Sequence, residues 1–438
     1  MPKPAKLEAA IQAAPSESEP TWIRGDSASF RRASRALFLA GFASFSLIYC
    51  VQPLLPEFPE DFGVNAATAS LALSLTTGAL AFAILLSGAF AQVVGRKTLM
   101  FTSMMLAAVC NLVAASAGGW GWLLAARAVE GLALGGVPAV AMAYLAEEIE
   151  PSSLGRAMGL YVGGTAFGAM VGRVGMGLMS AFTSWQMAMY ALGAACVAAA
   201  IGFLLLLPPS RNFRPQSMPL GRHLHLWRQH LSNPVLLRLY LIGTMLTSVF
   251  TTVFNYSTFR LAGAPYHLGP TAISMIFLTY ALGIVSSSSG GKMVDRFGRR
   301  ATLIVTFTTI LAGVLVTLTS SLILTILGIS LITIGFFIGH SAASSGVGAS
   351  SGSAKSHASA LYLLFYYIGA SFTGWAGGWF WIHGGWVAVA GLTSACATIG
   401  LLVALTFTRT NKPKAGKGNG SATDIKSDRL PFPPACRY

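Results

Sequence analysis

Apolar residues fill the chain in long runs at 34–54, 66–89, 99–117, 121–144, 157–180, 185–207, 236–260, 270–290, 301–319, 322–341, 359–380 and 386–408. Each run is close to the roughly 20 residues that carry a helix across the hydrocarbon core of a bilayer. The apolar positions go round every face instead of forming one stripe, which is the pattern of helices surrounded by lipid or by one another. These twelve runs predict an all-α membrane protein of twelve spans. The longest polar interruption, from Pro208 to Asn233, divides them six and six. The expected organisation is a disordered cytosolic tail at 1–33, a six-helix bundle at 34–207, a cytosolic linker at 208–235, a second bundle at 236–408 and a basic cytosolic tail at 409–438. Residues 1–30 are polar and lack the apolar core of a signal peptide.

Composition agrees with the pattern. The chain is 54% hydrophobic and 10% charged, where a soluble protein of ordinary make-up carries about 25% charged residues. The net charge of +15 raises the question of a nucleic-acid partner, and the position of the charges answers it. If the N-terminus is inside, Arg31, Arg32, Arg35, Arg96, Lys97, Arg156, Arg296, Arg299 and Arg300 all fall on the cytoplasmic side, while Glu57, Glu60 and Asp61 fall in the first outside loop. Positive charge on inner loops is a topology signal. The basic balance therefore predicts both termini in the cytoplasm and no nucleic acid. Five scattered cysteines, Cys50, Cys110, Cys196, Cys396 and Cys436, form no CxxC pair and read as small apolar filler plus a tail thiol.

The halves repeat one another. "SGAFAQVVGRK" at 87–97 returns as "GGKMVDRFGRR" at 290–300, so Gly88, Gln92, Gly95 and Arg96 correspond to Gly291, Asp295, Gly298 and Arg299 at an offset of 203. "YVGGTAFGAMVG" at 161–172 returns as "YIGASFTGWAGG" at 367–378, at an offset of 206. One duplication accounts for both. Two parallel six-helix repeats with a solute site between them, near the bilayer midplane, characterise one large class of transporters.

These motifs resemble the major facilitator superfamily of secondary transporters. Gly291, Asp295, Arg296, Gly298, Arg299 and Arg300 match the family's loop signature G-x-x-x-D-R-x-G-R-R/K; in the first copy Gln92 stands where the acid belongs and Val93 where the arginine belongs. "RAVEGLALGG" at 127–136 is similar to the family's fourth-helix motif, and the glycine-rich fifth run resembles the antiporter motif of the drug:proton branch, without its Gly-Pro pair. "YCVQPLLP" at 49–56 and "AYLAEEIEPSSLGRAMGLYVGG" at 143–164 are similar to bacterial inner-membrane efflux proteins of the arabinose-efflux type. The resemblance implies two pseudo-symmetric six-helix bundles in a bacterial inner membrane. It also implies that the loop acid faces a helix N-terminus of the other half as a conformational latch. Asp295 then makes a stronger clamp than Gln92, which has no charge to offer the helix dipole. Both loops also read simply as topology signals.

Glu130 is the one carboxylate well inside an apolar run, with Arg127 and Arg173 as matching cations. Such residues cost roughly 2.5–3.5 kcal/mol each on insertion scales, so they face a cavity or one another. Arg127 and Glu130 are three apart and within reach on a helix. An Arg127–Glu130–Arg173 cluster in the outer half of the membrane would make a proton-coupling site. The same residues also suit a structural salt bridge, with Arg173 reaching to the outer surface. Tyr49, Gln52, Asn255, Tyr256, Tyr366, Tyr367 and Trp375 lie on the first, seventh and eleventh runs, which line the central cavity in the family. His340 is expected near the cytosolic end of its helix. The expected function is proton-coupled efflux of a small organic molecule by a monomer without a cofactor. The alternative is an uptake symporter of an organic anion that uses Arg127 and Arg173. Nothing in the sequence clusters as an enzyme's acid–base or metal site would.

Overall fold

The structure, a computed structural model, describes residues 22–213, 219–352 and 354–408, with the side chains of 88–93, 139, 220 and 288 outside that set. The first span, Ala28–Tyr49, starts where Ser27 Oγ accepts the amide of Phe30 at 3.1 Å. It gives way to a 3₁₀ turn, Gln52–Leu54, because Pro53 has no N–H to continue the helix. A short helix, Phe58–Phe62, folds over this end and packs Phe58 and Phe62 against Trp120 and Trp185. The second span, Ala66–Val94, is capped by Asn65. It turns into the third, Arg96–Ala115, through Gly95 at φ +89°. Its repeat, Gly298 at φ +82°, joins Tyr280–Phe297 to Arg299–Val316 in the same way. Only glycine adopts that backbone cheaply, which explains both invariant positions of the duplicated loop.

The fourth span is broken into Trp120–Leu134 and Pro138–Glu148, where the sequence pattern predicts one helix over 121–144. Pro138 starts the second piece at a position that tolerates a missing N–H. The fifth span is Pro151–Ser180 and the sixth Trp185–Leu206. The seventh is Pro234–Ala262. The eighth runs from Pro270–Ser274 through a 3₁₀ turn, Met275–Thr279, into Tyr280–Phe297. Arg299–Val316 and Leu322–Ser350 are the ninth and tenth. Lys355–Leu405 is the eleventh and twelfth together, bent at Gly384 and Gly385, the latter at φ +54°. Among the described residues nine helices are long and apolar enough to cross a membrane. The bend in the last, with the broken fourth and glycine-rich fifth, brings the spans to the twelve of the sequence pattern.

One expectation at the edges is corrected and another gains detail. The tail expected through residue 33 is ordered from Trp22, because Ile23 pairs its backbone with Glu148 and Glu150. The linker carries a helix of its own, Leu220–Leu231.

The buried side chains form two cores. One spans Phe30 to Leu207 with Tyr367 added from the eleventh span; the other spans Leu236 to Phe407. Glycines set the seams. A Cβ on Gly168 would lie 2.3 Å from Phe42 O, and one on Gly172 2.7 Å from Ser46 Cα, so the fifth span rests on the backbone of the first. Between the halves, a Cβ on Gly177 would meet Ser274 Cβ at 2.4 Å, and one on Gly378 would meet Ala67 Cα at 2.2 Å. Both contacts lie at the end that carries Glu57 and Asp61. Gly159 stands five helical turns from Gly177 on the same face, and a Cβ there would meet nothing within 4 Å. The fifth and eighth spans thus touch at the acidic-loop end and part toward the basic end.

The two kinds of seam predict different outcomes. Gly168→Val overpacks a seam inside one half and should cost about 1–3 kcal/mol in thermal unfolding. Gly177→Val acts between halves. It should leave the melting temperature close to wild type and raise maleimide labelling of a cysteine placed at Ser180. Unchanged labelling would show that this contact does not hold the end shut.

Candidate functional site

Arg127 sits on the fourth span with none of its surface exposed, and neither has Glu130. Its Nη1 lies 2.7 Å from Glu130 Oε2. The guanidinium also donates to Leu47 O at 3.1 Å, Ile48 O at 2.9 Å and Ala72 O at 3.1 Å. Leu47 and Ile48 are in the last turn of the first helix, where carbonyls have no intrahelical donor and a cation complements the helix dipole. Arg127 therefore staples the fourth span to the first and second, and Thr76 Oγ1 returns a bond to Arg127 O at 3.0 Å. The other carboxylate oxygen, Glu130 Oε1, is buried and finds no partner among the described residues.

Arg173, 1% exposed, is held elsewhere. Its Nε donates to Gln52 Oε1 at 2.6 Å and its Nη1 to Ala169 O at 2.7 Å. The guanidinium lies 3.8 Å from the Tyr49 ring centre, 4.4 Å from Tyr280 and 5.5 Å from Phe277. Desolvated contacts of this kind contribute up to about 2 kcal/mol. Its bonded acceptors are neutral, and neither ion pair found among the described residues includes it. Gln52 Nε2 passes the connection on to Asn255 Oδ1 at 2.7 Å, across the boundary between halves.

The expected three-residue charge cluster thus divides. Arg127 and Glu130 pair as their i, i+3 spacing implies, whereas Arg173 joins an aromatic cage and neither pairs with Glu130 nor reaches the surface. Tyr49 and Gln52 contact Arg173 directly, and Asn255 joins them through Gln52. Tyr256 does not: it is fully buried and gives its hydroxyl to Gly374 O at 2.7 Å, packing the seventh span on the eleventh. Tyr367 is buried in the first half's core. Trp375 is 47% exposed beside Phe372 and faces outward, where a lipid-immersed helix carries aromatic residues equally well. Tyr366 meets His340, whose Nδ1 is 3.0 Å from Tyr362 Oη. His340 is not at the end of its helix, which continues to Ser350. Tyr280 escapes sequence reasoning because its partner, Arg173, comes from another span.

Among the described residues, the loop side chains that form hydrogen bonds do so within their own half. Arg96 forms a bidentate pair with Glu147 inside its own half, Nη2–Oε1 2.6 Å and Nε–Oε2 3.1 Å. Asp295 is exposed and makes no hydrogen bond or ion pair among the described residues. The surroundings of Gly88 and the side chain of Gln92 lie outside what the structure describes. Gly291 has open space around it, Arg296 lies over the Phe297 ring at 5.1 Å, Arg299 Nε donates to Ala342 O at 3.3 Å, and Arg300 Nε is buried without a partner among the described residues.

The family model of the Major Facilitator Superfamily matches residues 37–347 and 262–433. The chain belongs to that superfamily. It is 45% identical over 385 residues to the uncharacterized MFS-type transporter YybF of Bacillus subtilis, covering 88% of this chain and 94% of that protein. It is 39% identical over 382 residues to the inner membrane transport protein YnfM of Escherichia coli, covering 87% and 92%. The crystal structure of the nucleoside transporter NupG superposes with a TM-score of 0.70 at 14% identity, over 85% of this chain and 99% of that one, which establishes the shared fold. A Major Facilitator Superfamily protein is a multi-pass membrane transporter and not an enzyme, and the duplicated loops, broken fourth span and inter-half seams are the parts of one.

Proposed function

We propose that the protein is a proton-coupled exporter of a small organic molecule that works by alternating access. The observation that carries this reading is Glu130: a carboxylate sealed inside the bundle, with one oxygen on Arg127 and the other without a partner among the described residues. An oxygen in that position is where a proton would bind. Protonation weakens the pair with Arg127, which also holds Leu47 and Ile48 at the end of the first helix. Tyr49 and Gln52 follow directly and contact Arg173, so a change at Glu130 has a short mechanical path to the chamber between halves. The basic loops support a cytoplasmic position for the open end. On that reading the closed contacts at Gly177 and Gly378 face outward, as in an inward-facing state. Closure at the cytoplasmic end would bring Asp295 to its latch. Export, rather than import, follows from the efflux-type motifs at 49–56 and 143–164.

Everted membrane vesicles test the direction. An exporter that exchanges cargo for protons loads cargo when the vesicle interior is made acidic and stops when the gradient is collapsed. Uptake of an organic anion with protons is the second reading, favoured by the unpaired charge of Arg173. It predicts no loading in these vesicles, and that outcome would reverse the proposed direction.

A further inference from the structure

We infer that the cargo is an organic anion, and that its carboxylate binds Arg173 inside the cage formed by Tyr49, Phe277 and Tyr280. This deepens the transporter reading and rests on it. The two buried arginines differ in their partners. Arg127 is neutralised by Glu130 and occupied by three backbone carbonyls. Arg173 has two neutral acceptors and three aromatic rings. A buried charge without a counter-charge is expensive, and a chain that needed only a bridge between spans could use a neutral side chain. Two further polar atoms beside it are left over. Asn255 Nδ2 and Tyr280 Oη are both buried and have no partner among the described residues. Asn255 reaches Arg173 through Gln52, and the Tyr280 ring lies against the guanidinium itself. Both atoms can donate, and a carboxylate has lone pairs for an arginine and two further donors at once. The ring faces of Tyr49 and Tyr280 suit an apolar or aromatic body attached to that carboxylate. The position also fits a transport site. Gln52 and Arg173 come from the first half and Asn255, Phe277 and Tyr280 from the second, directly beneath the closed contact of Gly177 with Ser274. Cargo bound there touches both moving bodies.

The test is the melting temperature of the purified full chain in detergent, with benzoate and 2-naphthoate compared with benzamide and 2-naphthamide. Each pair shares its ring and differs in charge. The carboxylates should raise the melting temperature, as ligands of the native state do. Charge-assisted bonds should give them apparent affinity on the order of tenfold or more above their amides. Arg173→Gln should abolish the difference. Because that variant also loses packing, Gln52→Glu is the sharper one. It is isosteric and sets a carboxylate 2.6 Å from Arg173 Nε. Asn255 can turn its amide so that the unpartnered Nδ2 donates to the new oxygen. This variant should melt no lower than wild type and no longer respond to either carboxylate. Equal responses to acid and amide, no response to any of the four compounds, or an unchanged response in Gln52→Glu would each overturn the assignment. No pH gradient is present in this assay. Failure here leaves proton-driven transport standing, and loss of proton-driven transport with binding retained would remove only the coupling scheme.

Discussion

Glu130→Gln should yield a folded protein whose pH-driven transport falls to the rate measured with no gradient. The substitution keeps the shape and an oxygen that can accept from Arg127 at the present 2.7 Å. What it removes is the group that exchanges a proton. The variant leaves Arg127 buried without its counter-charge, a one-sided break that costs about 3–5 kcal/mol. The retained side-chain hydrogen bond and the three backbone carbonyls on the guanidinium should hold the loss to the lower end of that range, little enough for insertion and purification. Exchange of labelled for unlabelled cargo, which needs no net proton movement, should persist. Wild-type accumulation in the variant, driven by the same imposed gradient, would exclude Glu130 from coupling and leave it a structural ion-pair partner.

Arg127→Met should be the most destabilising single change at the site. It deletes donors to Leu47 O, Ile48 O and Ala72 O and leaves Glu130 buried without its cation. Breaking a buried pair from one side costs about 3–5 kcal/mol, because the remaining charge keeps its desolvation penalty. The same variant with Glu130→Met added should recover part of the loss, since two apolar side chains of similar volume remove the stranded charge. Recovery should be incomplete because the carbonyls that end the first helix still lack donors. Thermal unfolding of the single and double variants checks this. A double variant less stable than Arg127→Met would show that Glu130 is held by something other than the charge of Arg127.

The twelve spans were readable because lipid imposes a length and an all-round apolar surface that few other environments require. The duplicated turns were readable for a similar reason, since Gly95 and Gly298 both take a backbone with positive φ. Arg127 and Glu130 are neighbours on one helix, so spacing alone implied the pair. Arg173 was legible as an intramembrane charge but not as a caged one. Its partners, Tyr49 and Gln52 on one side and Phe277 and Tyr280 on the other, come from segments far apart in the chain. Trp375 was less legible for the converse reason. A helix apolar on every face carries no periodic signal that separates the side toward lipid from the side toward a chamber. The break before Pro138 was equally hidden, because the residues on both sides remain apolar.

The central claim is that two halves rock about the level of Arg173, opening one end as the other closes. It is tested most directly by pulsed spin-label distances in reconstituted protein. One label pair, at Gly155 and Lys292, reports the basic ends of the fifth and eighth spans; a second, at Phe182 and Gly269, reports their opposite ends. The account predicts that acidification and added cargo shift the two distance distributions in opposite senses, one pair lengthening as the other shortens. Two pairs that each keep one fixed distance under every condition, or that lengthen and shorten together, would contradict it.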